Sequence, residues 1–557
     1  MSKDFDICVI GSGAGGGPIA YELSRQGHSV LVLEKGPWLT EKDYFKDELA
    51  CCRRPGYKPR LQDEPQVLED LDDGDWSASS NAESGRSFWN GNVVGGSSNF
   101  MSGFFHRMKP VDFRLHSEFG PIEGANVVDW PIAYDQLEPY YTKVEQVVGV
   151  SGKAHEHPFA EPRSSADFPY PPVAEHAVSA WIDEACEGLG FSPVRVPRAI
   201  LPYPVGERRG CEYSGYCGSF GCASGAKGGA RAALLNQALA SGHCEIRPNS
   251  QVQAIVTDAK GKATEVEYSD ASGTVQRVSA KIVVVACQAI ETSRLLLSSV
   301  GPAHPDGLGN HSGQLGRNLI FSAGGAGRGY LTYAKMDETM AKQMQVLGPF
   351  VNRALQDWYE INDTSMGGRL KGGTIEFLLG HPNPVVKADG AKWEDGNLIW
   401  GKPLKRKLER WFSEDRELGF EVFNDWLPTD DCLVGLDGSV RDRWGKPVAR
   451  VRLGYHQHDL KVGRYLADKA EQVLRAMGAD FISSSVSGSP PPNLVAGGCR
   501  FGDKAEASVL DPDCRVWSAP NVFVTDGSFM PTGGSVPYTW TIYANSFRVA
   551  DQIAKQL

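Results

Sequence analysis

The sequence predicts an α/β fold (α+β overall) with more than one domain, and three features of the chain point to it. A buried strand at residues 5–10 runs into the glycine pattern GSGAGG at 11–16 and then into a helix-forming segment. A second apolar strand, at 28–33, ends in the acidic Glu34. The length of 557 residues exceeds one ordinary core, since domains usually contain roughly 100 to 200 residues.

The composition excludes several classes of protein. Hydrophobic residues make up 41% of the chain and charged residues 22%, with no apolar stretch long enough to span a bilayer. The net charge of -11 argues against a nucleic-acid-binding surface, because phosphate recognition requires clustered Lys and Arg. The first residues enter a strand without a basic segment followed by an apolar one, so we expect no export signal and a cytoplasmic location.

The strand, glycine turn and helix are together typical of a Rossmann-type dinucleotide-binding domain. The glycines permit a tight turn and a close approach of the backbone to a pyrophosphate, and the helix N-terminus offers N–H groups to that anion. Glu34 stands where a carboxylate accepts hydrogen bonds from the adenosine ribose and disfavours a 2′-phosphate. These residues leave NAD and FAD open as cofactors. The predicted binding residues in this region are Gly11, Gly13, Ala14, Gly15, Gly16, Glu34 and Lys35.

Four later segments resemble segments of known flavoproteins, and this resemblance indicates FAD rather than NAD. They lie at 94–98 (VGGSS), at 129–140 (beginning DWPI), at 282–297 (beginning IVVVA) and at 524–531 (beginning VTDGS). With the glycine turn, they stand in the same order as in the glucose-methanol-choline (GMC) oxidoreductases, which the chain resembles along almost its whole length. Within that family it is most similar to the flavoprotein subunits of bacterial FAD-dependent sugar and gluconate dehydrogenases.

The resemblance implies an activity and a set of FAD contacts. The activity is the oxidation of a sugar, glycoside or polyol at a CH–OH group by hydride transfer to flavin N5, with electrons passed to a protein or quinone acceptor. The FAD is expected to be non-covalent, because Asn99-Phe100-Met101 stands where some relatives place a histidine that bonds the flavin. The further implied FAD contacts are Gly95, Gly96, Ser98, Asn99, Val252, Ala286, Asp526, Gly527 and Thr539.

The same resemblance implies the division into domains. The FAD-binding domain is assembled from residues 1–150, from 210–320 and from 491–557, the last of which contains the C-terminal signature. Residues 151–209 form a connecting segment that belongs in part to the substrate domain. Residues 321–490 form that inserted substrate domain, expected to be a sheet capped by helices, which together with the FAD domain makes up the GMC fold.

Three of the twelve cysteines form a cluster in a glycine-rich loop. Cys211, Cys217 and Cys222 are spaced C-x5-C-x4-C, and three neighbouring thiolates suit a [3Fe-4S] cluster. The loop resembles the cluster loop of bacterial glucose and fructose dehydrogenase FAD subunits, where the second gap is one residue shorter. That resemblance implies a small subunit that carries an export signal, a cytochrome c acceptor and a periplasmic location. The alternative, equally open, is that the thiols pack the loop beside the flavin.

The resemblance fails at the catalytic pair. GMC alcohol oxidation uses a histidine near flavin N5 to take the hydroxyl proton, in the pattern H-x-x-G-[ST]-x-x-M-G. Leu494 occupies that histidine position, and Pro537 occupies the position of the second residue, a His or Asn. Neither side chain accepts a proton.

Three explanations of this loss stay open. In the first, Asn493 positions the substrate hydroxyl and Tyr538, His456 or His458 takes the proton. In the second, the substrate is not an alcohol and its oxidation needs no such pair. In the third, FAD is retained in a non-redox isomerase or lyase, or in an electron-relay subunit without catalysis of its own.

Overall fold

The first strand, Asp4–Ile10, lies at the centre of a mainly parallel sheet. Its residues Ile7, Cys8 and Val9 are fully buried, as expected for a parallel strand covered on both faces. A computed structural model describes residues 4–44, 47–48, 61–72, 74–88, 90–322, 324–380, 383–394, 396–491 and 493–557. The parallel strands follow in the spatial order Cys244–Arg247, Val30–Leu33, Asp4–Ile10, Val275–Val285 and Val522–Val524, and Gln251–Thr257 with Ala263–Ser269 adds an antiparallel extension.

Helices from distant parts of the chain pack together beside this sheet. Gly16–Arg25, which connects the first two strands, packs against the C-terminal helix Thr539–Ala554. That helix in turn packs against Tyr134–Val144. Ala289–Ser298 follows the strand Val275–Val285 and packs against Gln251–Thr257. The glycine turn at 11–16, the C-terminal signature at 524–531 and the returning strand Val275–Val285 meet at one edge of the sheet.

A second sheet of six antiparallel strands carries a helical layer on one face. The helix Gln457–Ala476 packs on it together with Val178–Leu189. Leu418, Phe420 and Val422 are buried in the core beneath these helices. The strands follow in the order Asp480–Ser485, Gly325–Thr332, Asp415–Asn424, Gly373–Leu379, Arg353–Leu355 and Pro193–Arg195.

The alternation of side chains along each strand determines which residues lie on the opposite face of this sheet. Because successive side chains point to opposite faces, the residues between Leu418, Phe420 and Val422 face away from the helices. Glu421 is one of them. Its register partner on the neighbouring strand is Glu376, so the two carboxylates share that face.

No helix in the described ranges has both the length and the apolar character needed to cross a membrane.

The remaining elements are short or lie at the periphery. A four-stranded sheet contains Cys432–Arg441, Pro447–Leu453, Val67–Asp72 and Asp75–Ser80, and strand pairs join Leu319–Ile320 to Ala496–Gly497, Glu360–Asp363 to Gly368–Lys371 and Trp393–Glu394 to Asn397–Leu398. The other α-helices of the described residues are Asn81–Ser84, Leu115–Phe119, Asn236–Ala240, Glu338–Met344, Pro384–Ala391 and Lys402–Ser413.

Candidate active site

A long cleft with a cavity volume of about 340 Å³ opens between the carboxyl edge of the parallel sheet and the face of the antiparallel sheet. It gathers most of the cofactor-binding residues that the sequence predicts. Gly16, Gly95 and Asn99 do not line it. Those that do are Gly11, Gly13, Ala14, Gly15, Glu34, Lys35, Gly96, Ser98, Val252, Ala286, Asp526, Gly527 and Thr539.

Tight backbone packing explains the glycines of the first turn. Gly11 has φ +95°, and a Cβ there would lie 2.3 Å from the Ala286 carbonyl oxygen. A Cβ on Gly15 would lie 2.7 Å from the backbone nitrogen of Asp526, and one on Gly16 would lie 2.0 Å from the Gly11 carbonyl oxygen. The absence of side chains thus lets the turn, the returning strand and the C-terminal signature touch.

Glu34 is held at the end of its strand by three backbone and side-chain donors. Its Oε2 accepts hydrogen bonds from Ser12 N at 3.1 Å and from Ser12 Oγ at 2.5 Å, and its Oε1 accepts one from Gly36 N at 2.9 Å. Ser12 Oγ also accepts a hydrogen bond from Gly95 N at 2.9 Å. Burial raises the pKa of Glu34. The carboxylate is thereby oriented in the cleft. Through Ser12 it is also connected to a second glycine turn, formed by Gly95 and Gly96.

The second glycine turn is fixed by its own side chains. Asn99 Nδ2 donates to Val94 O at 2.9 Å and to Gly96 O at 3.0 Å. Ser98 Oγ donates to Gly95 O at 2.6 Å and accepts from Ala230 N at 2.9 Å. Asn99 therefore shapes the turn from behind, while Gly96 and Ser98 line the cleft.

Asp526 joins the start of the helix Ala289–Ser298 to its own C-terminal segment through both carboxylate oxygens. Oδ2 accepts from Gln288 N at 3.0 Å and from Thr292 Oγ1 at 2.5 Å. Oδ1 accepts from Ser528 N at 2.9 Å and from Ser528 Oγ at 2.5 Å. Burial raises the pKa of Asp526. Its carboxylate thus organises the backbone around the cleft.

The groups around the cleft suit FAD. Among the described residues, Gln288 Nε2 is a buried donor without a protein acceptor, and Gln288 lines the cleft beside Asp526. Such a donor suits an oxygen atom of a phosphate or a ribityl chain. A Cβ on Gly96 would lie 3.1 Å from the Gly13 Cα, so the two glycine turns pack directly against each other in the wall of the cleft, where their backbone is accessible to a cofactor.

The candidate catalytic residues separate into those at the cleft and those outside it. Asn493 lines the cleft, as do Leu494 and Pro537. Tyr538 is fully buried and is not a lining residue. Leu494 has φ +54°. The positions where relatives have a proton acceptor therefore lie at the cleft, while their side chains supply none.

The two candidate histidines lie at the start of the helix Gln457–Ala476. His456 Nδ1 accepts a hydrogen bond from His458 N at 3.1 Å, and its Nε2 lies 2.9 Å from Glu123 O. His458 lines a different pocket, with Lys371 and Asp425. Neither histidine lines the cleft, and no described lining residue is a histidine. His456 therefore caps the helix, and the His458 side chain lines a pocket separate from the cleft.

The antiparallel sheet supplies two lining residues that the sequence analysis did not identify, Glu421 and Phe423. Burial and the charge of Glu376 raise the pKa of Glu421 to about 7. Glu376 Oε1 lies 2.8 Å from His106 Nε2, and both side chains are buried. A glutamate within the apolar alternation LGFEVF was the signal available in the sequence.

The cysteine loop forms a small separate cavity lined by Cys211, Cys217 and Cys222. All three are free thiols, and burial raises the pKa of Cys211 to about 12. The Lys227 ammonium lowers the pKa of Cys222 although burial opposes it. In the described part of the chain no three His, Cys, Asp or Glu side chains are arranged to hold a metal ion, so the [3Fe-4S] prediction receives no support.

Family comparisons agree with this geometry. Models described as GMC oxidoreductase match residues 171–322 and 428–546, and a NAD(P)-binding Rossmann-like domain model matches 9–40. Paromamine 6′-oxidase of Streptomyces fradiae is 33% identical, over 99% of this chain and 92% of that protein. The chain belongs to the GMC oxidoreductase family. The family and the fold expected from the sequence are thereby confirmed.

Other comparisons add a second relative and a solved structure. The 2-methyl-1,2-propanediol dehydrogenase of Mycolicibacterium austroafricanum is 30% identical, over 99% of this chain and 95% of that protein. The structure of formate oxidase from Aspergillus oryzae RIB40 has a TM-score of 0.65 at 15% identity, over 100% of this chain and 99% of that chain. This GMC oxidoreductase is thus an enzyme that acts on CH–OH groups, and its family and cleft support FAD as the cofactor.

Proposed function

We propose that this GMC oxidoreductase is an FAD-dependent dehydrogenase that oxidises a sugar, glycoside or other polyol. Bound FAD supplies the hydride acceptor, and the electrons pass on to a protein or quinone acceptor. The observation that carries the proposal is the mixed lining of one cleft. At the predicted cofactor residues the lining is rich in glycine, and elsewhere it includes the amide of Asn493 and the carboxylate of Glu421.

The lining supports a hydroxyl-bearing substrate. Asn493 offers both a donor and an acceptor to a hydroxyl group, and Ser102 adds a hydroxyl of its own. Phe104 and Phe423 add apolar surface that excludes water from the carbon to be oxidised. One relative is named as the dehydrogenase of a diol, which is consistent with this class of substrate.

A panel of substrates and acceptors tests the proposal. The purified holoenzyme is mixed anaerobically with diols, sugars and glycosides while the flavin absorbance is followed, and turnover is compared with oxygen, a quinone and cytochrome c. We expect at least one polyol to bleach the flavin and a quinone or protein acceptor to outperform oxygen. Faster turnover with oxygen would overturn the dehydrogenase assignment, and no bleaching by any hydroxyl compound would overturn the proposal.

A second function has one observation in its favour. Leu494 and Pro537 both line the cleft, so the family's proton acceptors are missing from the place where they would act. An enzyme that oxidises a different kind of substrate, or that uses FAD without redox chemistry, would tolerate this loss. Flavin that stays oxidised while product accumulates would favour this alternative.

Asn493→Ala is expected to lower kcat/KM for the best polyol about tenfold, with unchanged flavin content. The variant loses hydrogen bonds to the substrate hydroxyl that together contribute up to about 1.5 kcal/mol. Asn493→Asp is the matched variant, because it keeps the acceptor and removes the donor. An unchanged kcat/KM in Asn493→Ala would show that this amide does not contact the substrate.

A further inference from the structure

The cleft in which the family's histidine is missing contains a carboxylate on another of its walls. Glu421 lines it from the antiparallel sheet, and Leu494 and Pro537 line it from the C-terminal part of the chain. The geometry points to Glu421 as the general base that takes the proton of the substrate hydroxyl in place of the absent histidine. This role rests on the proposed oxidation of a CH–OH group.

Backbone contacts bring the strand of Glu421 close to the two substituted positions. Ser322 forms a bridge with Asp425, just beyond the strand Asp415–Asn424, and its Oγ donates to Val536 O at 3.2 Å. Ser535 Oγ, in turn, lies 3.1 Å from Asp425 Oδ2. Ile320 pairs with Ala496, two residues after Leu494. The end of the strand is thus attached to both segments that surround the family's catalytic pair.

Contacts on the other side connect Glu421 to the segment that follows the second glycine turn. Its register partner Glu376 is bonded to His106 at 2.8 Å. His106 follows Phe104, which lines the cleft in the segment that continues from the second glycine turn. Glu421 therefore shares the cleft with the segment that follows the second glycine turn and with Pro537, and a substrate bound there would be within the part of the cleft where a base is needed.

The surroundings of Glu421 raise the pKa of its carboxyl group to near neutral pH. Burial and the like charge of Glu376 raise its pKa to about 7, which suits a base that works near that pH. Glu376 in turn faces His106 and the buried Arg198. The strand on the other side places the uncharged Ala326 in register with Glu421. Glu376 is thus the direct charged neighbour, and His106, at 2.8 Å, positions it.

The step balances in atoms and electrons. The O–H bond of the substrate breaks and its proton goes to the Glu421 carboxylate. The C–H bond breaks with both of its electrons as a hydride, for which FAD is the oxidant in the proposed function. A carbonyl forms at that carbon, and Glu421 later returns its proton to solvent. Asn493 holds the hydroxyl oxygen while the proton leaves.

Glu421→Gln tests the role of the carboxylate directly. The substitution keeps the size and hydrogen-bonding capacity of the side chain and removes its basicity. We expect the rate of anaerobic flavin reduction by the best polyol to fall about 10² to 10⁴-fold, the usual contribution of a general base, with normal flavin content. Glu417→Gln is the matched control, because Glu417 lies on the same strand and does not line the cleft; its rate is expected to stay unchanged.

Glu376→Gln tests whether the negative charge of Glu376 raises the pKa of Glu421. In the wild type, activity should be lost as the pH falls through about 7, because Glu421 then becomes protonated. Removing the charge of Glu376 lowers the pKa of Glu421, so the acid limb of the kcat/KM profile should move to lower pH. A profile that does not move would contradict the pairing of the two carboxylates.

Infrared spectra supply a measurement that does not depend on turnover. The pH-difference spectrum of the wild-type holoenzyme should contain a protonated-carboxyl band that titrates near pH 7 and is absent from Glu421→Gln. Identical spectra, or an unchanged reduction rate in Glu421→Gln while polyols still reduce the wild type, would overturn the role of Glu421 alone. A wild type that no polyol reduces would overturn the proposed function, and this role with it.

Discussion

Replacing Gly11 with alanine is expected to abolish stoichiometric FAD binding. The residue has φ +95°, and an added Cβ would lie 2.3 Å from the carbonyl oxygen of Ala286, a backbone atom that cannot rotate away. The turn and the strand Val275–Val285 would have to separate, which moves the N–H groups that face the pyrophosphate. We expect FAD affinity to fall at least about 100-fold, a loss of roughly 2.7 kcal/mol, as measured by flavin fluorescence during titration of the apoprotein.

Gly27→Ala provides the matched control for this substitution. Gly27 also has a positive φ, of +92°, but a Cβ there meets nothing within 4 Å. Its backbone strain alone should cost about 1 to 2 kcal/mol of stability and leave FAD affinity unchanged. Equal FAD affinity in the two variants would contradict the view that close packing of the turn against Ala286 builds the cofactor site.

Replacing Arg107 with alanine is expected to lower the free energy of unfolding by about 3 to 5 kcal/mol. The guanidinium is fully buried, with Nη1 at 2.8 Å from Glu138 Oε1 and Nη2 at 2.6 Å from Glu145 Oε1. Its central carbon also lies 5.3 Å from the centroid of the Trp540 ring, next to the lining residue Thr539. The variant would leave the Glu138 carboxylate without its cation and Glu145 with Arg163 alone, at 2.8 Å. Chemical denaturation of the apoprotein measures the change.

Arg277→Ala is the control, because Arg277 forms its ion pairs with Glu265 and Glu267 on an exposed sheet surface. Pairs of that kind contribute about 0 to 1 kcal/mol. Similar losses for the two arginine variants would show that the buried cluster around Arg107 does not stabilise the packing of Tyr134–Val144 on the C-terminal helix.

The sequence predicts the cofactor region well because its determinants are local. Gly11 and Glu34 belong to a strand, turn, helix and strand that follow one another within a short stretch, so their spacing alone indicates their geometry. Asp526 lies at the far end of the chain, and only the family resemblance could place it there. The cleft brings all three together.

The sequence is less informative about the chemistry because that depends on tertiary pairing. Glu421 reaches the cleft only because its strand presents one face to the helices, and it meets Glu376 only through the register of two strands. His456 looked like a candidate because histidines are common bases, but its ring nitrogen is used to cap a helix. The one sequence sign of a replacement for the missing histidine is the glutamate within the apolar run at 418–423, far from position 494 along the chain.

The central claim is that a polyol gives a hydride from its carbinol carbon to FAD in this cleft. Its most direct test is the anaerobic reduction of the holoenzyme by a polyol with deuterium at that carbon, followed by stopped-flow absorbance of the flavin. We expect the flavin to bleach more slowly with the deuterated substrate than with the unlabelled one. Equal rates in a chemistry-limited single turnover, or no bleaching at all, would contradict the claim.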